Sequence, residues 1–242
     1  MGMHQATQLQ SGYILHQRAY RDTSLLLEVF TRDHGRLGLV ARGARAPRSR
    51  IRGLLQPFQP VLLSWSGRGE LGTLTGVEPA IEAGGMPPRL LGATLYSGFY
   101  LNELLMRLLQ RHDPHPELFV AYAEALRGLP QAAQRPLRLF EKQLLESLGY
   151  GLLLDHEADS GVPVLADADY VYALESGPVR SQGVNARGLQ LSGRSLLSLA
   201  AEDLSDVQSL ADSKRLMRAA LGLYLGGREL KTREVFAAIT VR

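Results

Sequence analysis

Along the first eighty residues apolar and polar positions alternate in five short segments, 8–17, 23–31, 36–40, 59–65 and 70–77, each bounded by turn residues. A period of two predicts strands. In the first segment Leu9, Ser11, Tyr13 and Leu15 share one side; in the second Leu25, Leu27 and Val29 oppose Leu26, Glu28 and Phe30. Both segments are expected to line a small barrel. Gly35, Gly67 and Gly69 supply the tight turns. Five strands with one longer connection between the third and fourth match an all-β OB barrel better than a two-sheet sandwich, which usually needs about seven strands.

After Glu78-Pro79 the spacing changes to helical. Leu91, Leu95, Phe99, Leu101, Leu104, Leu105 and Leu108 recur at three- and four-residue intervals, a second helix follows Asp113-Pro-His-Pro116, and a third carries Leu137, Phe140, Leu144 and Leu148 before Gly149. Residues 151–192 hold Gly161, Gly177, Gly183 and Gly188 with Pro163 and Pro178. They read as an irregular insertion with one strand-like stretch, 169–174. Helical periodicity returns at 194–199, 214–225 and 232–239. The expected organisation is a barrel over 1–80 and an α-helical domain over 81–242 that contains the insertion.

Composition narrows the function. With 45% hydrophobic and 21% charged residues in 242, a sizeable core can form. No apolar run approaches the ~20 residues of a membrane span, and the polar start lacks a secretion signal, so a cytoplasmic protein is expected. The absence of cysteine removes disulfides, thiolate metal sites and cysteine nucleophiles. The net charge is only +3, but it is segregated: residues 1–80 carry ten arginines against five acids, and the remainder carries 17 basic residues against 19 acidic. A basic barrel points to a polyanion partner.

The segment 41–53 places Arg42, Arg45, Arg48, Arg50 and Arg52 together with no acid and no obvious apolar face. Such an arm can wrap phosphates and release their counterions. The plainer reading is a solvated loop, although five like charges repel one another without a partner. Arg18, Arg21, Arg32, Arg36 and Arg68 extend the candidate interface across the barrel. Tyr20, in a turn between Arg18 and Arg21, is the aromatic expected to stack on an unpaired base, while Trp65 suits stacking and core equally. His16 and His34 stand beside arginines as further phosphate donors, or as surface histidines with no role. His112 and His115 resemble a metal pair only superficially, because Pro114 breaks the helix that would align them. No nucleophile, phosphate-loop or paired-carboxylate motif appears.

The strings Gly12-Tyr-Ile-Leu-His-Gln-Arg-Ala-Tyr-Arg-Asp-Thr-Ser-Leu-Leu-Leu27, Phe30-Thr-Arg-Asp-His-Gly-Arg36, Val40-Ala-Arg-Gly-Ala-Arg45, Leu55-Gln-Pro-Phe58 and Gly67-Arg-Gly-Glu-Leu71 resemble the amino-terminal domain of the RecO family. Tyr100-Leu-Asn-Glu-Leu-Leu105, Arg138-Leu-Phe-Glu141, Leu148-Gly-Tyr150 and Lys214-Arg-Leu-Met-Arg218 are similar to its helical part, so the likeness spans most of 8–239. The resemblance implies an OB-fold followed by a helical domain, with DNA repair as the process and the nucleoid as the place of work. It implies binding of single- and double-stranded DNA, annealing of complementary strands and, with RecR, loading of RecA onto DNA coated by single-strand-binding protein. It implies no catalysis and no nucleotide cofactor. Some members hold zinc with four cysteines in the insertion. Here Ser160-Gly161 and Ser181 stand near the expected places, so no zinc is expected. An acidic tail on single-strand-binding protein would need a basic-rimmed groove, for which Arg135, Arg138, Lys214, Arg215 and Arg218 are candidates, against plain solvation of a helix surface. Two rival readings are an OB-fold RNA-binding protein and an enzyme assembled from scattered residues such as Glu70, Glu103, Glu141 and His156.

Overall fold

The computed structural model describes residues 6–67, 69–80, 89–181, 188–227, 229–232 and 234–235. The chain divides into two compact units, Met1–Pro130 with Leu230–Arg242, and Gln131–Glu229.

In the first unit β1 (Ala6–Tyr20), β2 (Ser24–Thr31), β3 (Gly35–Ala41), β4 (Pro60–Ser66) and β5 (Leu71–Pro79) close a barrel in the order β1-β2-β3-β5-β4. All neighbours are antiparallel except β3 and β5, which run parallel from Gly38 opposite Leu71 to Val40 opposite Thr73. This is the five-stranded OB-like arrangement that the pattern predicts. Its interior is filled by Ile14, Leu25, Leu27, Val29, Leu37, Leu39, Val61, Leu63, Trp65 and Val77.

Strand β1 is where simple alternation fails. Register shifts between Thr7 and Gln10 and between Ile14 and His16 change which side points inward, so Ile14 enters the barrel core in place of the expected Tyr13 set. Tyr13 and its partner Phe30 instead meet Phe119 and Tyr122 of a helix, with ring centroids 5.0–6.3 Å apart. Leu9 is exposed.

The barrel is followed in this unit by α1 (Ala93–Leu108) and α2 (Pro116–Ala132), the last two residues of α2 belonging to the second unit. Helix α1 is fixed to β1 by buried Asn102, which donates to the Leu15 carbonyl at 2.8 Å and accepts from the Tyr122 hydroxyl. The α1–α2 connection lies on the barrel, where Arg111 donates to the Glu28 carboxylate and the Glu70 carbonyl, and the His112 amide donates to the Arg36 carbonyl. The Asp113 backbone comes so close to Gly35 that a Cβ there would stand 2.0 Å from its carbonyl oxygen, and the φ of +65° at Gly35 suits glycine as well.

The chain returns to this unit after residue 229. Glu103 accepts from the Lys231 amide (3.0 Å), the Thr232 amide (2.9 Å) and the Thr232 hydroxyl (2.8 Å), and pairs with Arg107 at 2.8 Å. Residues 231–232 and 234–235 are helical, and the rest of the expected last helix lies outside the described residues. Burial pushes the Glu103 carboxyl up, but the Thr232 and Lys231 donors with Arg107 outweigh it and hold the group below the usual glutamate range. A depressed folded-state value adds stability that is complete above the unfolded-state value and disappears as pH falls through the folded one. Glu103→Gln is therefore expected to destabilise the protein at neutral pH and to flatten the acid limb of a Tm-versus-pH profile relative to wild type.

The second unit contains α3 (Gln134–Ser147), then β6 (Asp169–Ala173), β7 (Gly177–Arg180) and β8 (Leu189–Ser192), and finally α4 (Gly193–Ala200) and α5 (Val207–Tyr224). Residues 151–192, expected to be irregular, thus carry an antiparallel sheet in the order β7-β6-β8. Alternation was hard to read there because its strands are only four or five residues long. Buried Glu157 organises the turn ahead of the sheet, accepting from Ser160 at 2.6 Å and facing Tyr170 at 3.4 Å and Arg180 at 3.7 Å. Helix α5 starts earlier than expected, because Asp206 caps it by accepting from the Ser209 amide at 2.8 Å.

Candidate nucleic-acid interface

The long β3–β4 connection is a plug as well as an arm. Ala44 and Leu55 are fully buried in the barrel core, with Ile51 and Leu54 packed against it. This corrects the expectation that the segment lacks an apolar face. The four side chains are spaced irregularly among arginines, so no period marks them. Their burial holds the loop against one end of the barrel and leaves Arg42, Arg45, Arg48, Arg50 and Arg52 all exposed.

That loop meets the β1–β2 turn. The Arg45 amide donates to the Thr23 carbonyl at 2.8 Å, and its guanidinium to the Arg21 carbonyl at 3.3 Å. Exposed Arg18 and Arg21 and half-buried Tyr20 therefore belong to the same end of the barrel as Arg42 and Arg45. The Arg21 guanidinium lies 5.3 Å from the centre of the Tyr20 ring. A base stacking on Tyr20 must displace that guanidinium or use the ring's other face.

Two of the remaining arginines stand apart. Arg32 follows β2 at the end away from Ser24, roughly 25 Å distant at ~3.3 Å per residue. Arg36 is drawn into an ion cluster: Glu28 on β2 receives Arg36 at 3.2 Å and also Arg111. Burial lowers the Arg36 pKa most, Glu28 opposes the fall and Arg111 adds to it. The position in sequence could not reveal this, because Arg111 comes from a connection 83 residues beyond Glu28. Arg68 lies outside the described residues.

Of the aromatic candidates, Trp65 is 7% exposed within the barrel core and meets the His34 ring edge-on, 5.2 Å between centroids. His16 is exposed on β1. His112 is exposed too, while His115 faces Asp113 at 3.3 Å. Among the described residues no group of three histidines, aspartates or glutamates is placed to hold a metal ion. None of their helices is long and apolar enough to cross a membrane.

The five candidates in the second unit divide as well. Arg135 donates to the Asp203 carbonyl at 2.8 Å and the Glu202 carbonyl at 2.7 Å, closing the end of α4. Arg138 is buried and pairs with buried Glu141 at 3.0 Å. Arg215 reaches Asp212 and the Gln190 carbonyl, both at 3.1 Å. Lys214 and Arg218 are exposed on α5.

Comparison with known proteins agrees with this architecture. The family profile described as "Recombination protein O N terminal" matches residues 3–81, and "Recombination protein O C terminal" matches 91–234. The chain is 52% identical over 230 residues to the DNA repair protein RecO of Alkalilimnicola ehrlichii, covering 94% of this chain and 90% of that one. It is 48% identical over 240 residues to the protein of the same name from Azoarcus sp., covering 97% of each, and 50% identical over 227 residues to that of Nitrosococcus oceani, covering 93% and 91%. With both profiles matched and relatives this similar along nearly its whole length, the chain belongs to the RecO family of DNA repair proteins.

Proposed function

We propose that the protein is a non-catalytic recombination mediator that binds single- and double-stranded DNA and anneals complementary strands, with the barrel 1–80 as its main DNA-binding part. The observation that carries this reading is the plugged loop. Its apolar residues hold five exposed arginines on one end of the barrel, beside Arg18 and Arg21, with no carboxylate in the loop to neutralise them. Phosphates of two strands gathered there repel one another less, because each is paired with a guanidinium and its counterions are released. The bases remain available for pairing. Annealing of this kind needs charge and geometry, and no bond is made or broken.

Within the cell the same reading places RecR and RecA beside the protein, with RecA loaded onto DNA that single-strand-binding protein has coated. The acidic tail of that coat protein suits the exposed Lys214 and Arg218 on α5, while Arg135, Arg138 and Arg215 bond within their own unit. The RNA-binding alternative lacks comparable support, since the relatives are named for DNA repair.

Annealing of two complementary fluorescent oligonucleotides, naked and precoated with single-strand-binding protein, tests the proposal. The protein is expected to accelerate annealing on both substrates, and less so as salt rises. Absence of acceleration on either would reject the mechanism. Faster annealing of matched RNA strands than of DNA would favour the rival reading.

A further inference from the structure

The β1–β2 hairpin turns through only Arg21, Asp22 and Thr23, since Tyr20 and Ser24 still pair across it. The turn holds Arg21 at φ +51°, in the left-handed region that usually falls to glycine or asparagine. A residue kept there is strained and stays only where its surroundings hold it. Here the arginine loop does the holding. Ala44 is buried in the barrel core and anchors the neighbouring Arg45, whose amide donates to the Thr23 carbonyl and whose guanidinium donates to the Arg21 carbonyl. The two bonds straddle Asp22 and fix the turn on both sides of it. The guanidinium bond uses Nη1, so the other nitrogens of Arg45 remain for a phosphate.

We infer that this turn distinguishes single from double strands: an unpaired base replaces the Arg21 guanidinium on the Tyr20 ring, the guanidinium passes to the adjoining phosphate, and Arg45 is the positioning residue that holds the turn for the exchange. The inference rests on the proposed binding of DNA and adds the means of telling its two forms apart. The Arg21 guanidinium lies 5.3 Å from the ring centre, within cation–π range, but Arg21 is exposed and Tyr20 only half-buried, and such pairs are weak in contact with water. A base stacks on that face more favourably, and the displaced cation gains a phosphate charge. Residues 18–24 and 41–53 hold seven arginines against one acid, Asp22, so the backbone of either form is drawn to this end of the barrel. The bases of a duplex are already stacked on one another. A duplex therefore leaves Tyr20 covered and is held by the remaining arginines alone.

The full-length protein is titrated with a labelled oligothymidylate of about 15 nucleotides, within the site size of one OB fold, with an abasic strand of equal length and with a duplex of that length. Anisotropy over a salt series follows binding. The base-bearing strand is expected to bind roughly 5- to 100-fold tighter than the abasic one, the usual contribution of one stacked base. Tyr20→Leu should abolish that advantage and Tyr20→Phe should keep it. Arg45→Ala and Arg48→Ala should each flatten the single-strand salt slope by ~0.7, the loss of one phosphate contact. Only Arg45→Ala should also lower the advantage of the base-bearing strand, severalfold, although its amide still holds Thr23 and keeps the hairpin closed. Asparagine enters the left-handed region readily, so in an Arg21→Asn background the turn keeps its shape unaided and adding Arg45→Ala should lower the advantage no further. A merely structural loss would lower it in both backgrounds, and that result would reject the positioning role. Equal affinity of the wild type for base-bearing and abasic strands would overturn the inference and leave DNA binding intact. So would an advantage that survives Tyr20→Leu, or a duplex weakened by Tyr20→Leu as much as the single strand. Failure of all three nucleic acids to bind would overturn the functional proposal and the inference together.

Discussion

Changing Arg42, Arg45, Arg48, Arg50 and Arg52 to alanine is expected to flatten the salt dependence of single-strand binding by up to about 3.5 in the slope of log K against log salt, at ~0.7 per neutralised phosphate. Between ~50 and ~200 mM salt the wild-type affinity should then fall about a hundredfold more than that of the variant. The fold should survive, because the loop is held by Ala44, Ile51, Leu54 and Leu55, none of which is altered. Removing five mutually repelling charges should leave Tm unchanged or raise it slightly. Arg36→Ala should behave oppositely. Its guanidinium faces Glu28 with a side chain only 17% exposed, so its loss should lower Tm and leave the salt slope as it was. Anisotropy over a salt series, with thermal melts of the same preparations, checks both statements. An unchanged slope in the five-arginine variant would move the phosphate contacts elsewhere on the barrel.

The contrast between those arginines marks how far the sequence could be read. Strand positions followed from period two, and the glycine turns from local rules, because both depend on neighbouring residues. The register shifts in β1 did not follow, since a bulge moves a side chain across the sheet without leaving a compositional mark; Ile14 and Tyr13 exchange sides for that reason. The apolar plug was hidden by its spacing, and its isolated Ala44 and Ile51 acquire meaning only when a barrel end is available to receive them. Arg36 and Arg138 looked like other arginines, and only distant or folded partners, Glu28 with Arg111 for the first and Glu141 for the second, withdraw them from solvent. Local chemistry therefore identified the basic loop correctly as exposed, and tertiary contacts decided which single arginines accompany it.

Arg138 gives the sharpest test of that distinction. Glu141→Ala would leave a desolvated guanidinium without its carboxylate, and breaking a buried pair in this way typically costs about 3–5 kcal/mol. In a unit of this size the loss should appear as a fall in Tm of more than about 10 °C. Replacing both partners, Arg138→Met with Glu141→Leu, removes the desolvation cost along with the attraction, and such exchanges are commonly neutral or stabilising by about 1–4 kcal/mol. The double variant is therefore expected to melt at or above the wild-type temperature. It also separates structure from recognition. With Arg138 committed to Glu141, the double variant should bind an acidic tail peptide of single-strand-binding protein as well as wild type does, whereas Lys214→Glu with Arg218→Glu should weaken that binding at least tenfold, the equivalent of ~1.4 kcal/mol. Loss of peptide binding in the folded double variant would place Arg138 in the groove after all, and the buried pair would then have to open for the tail to enter.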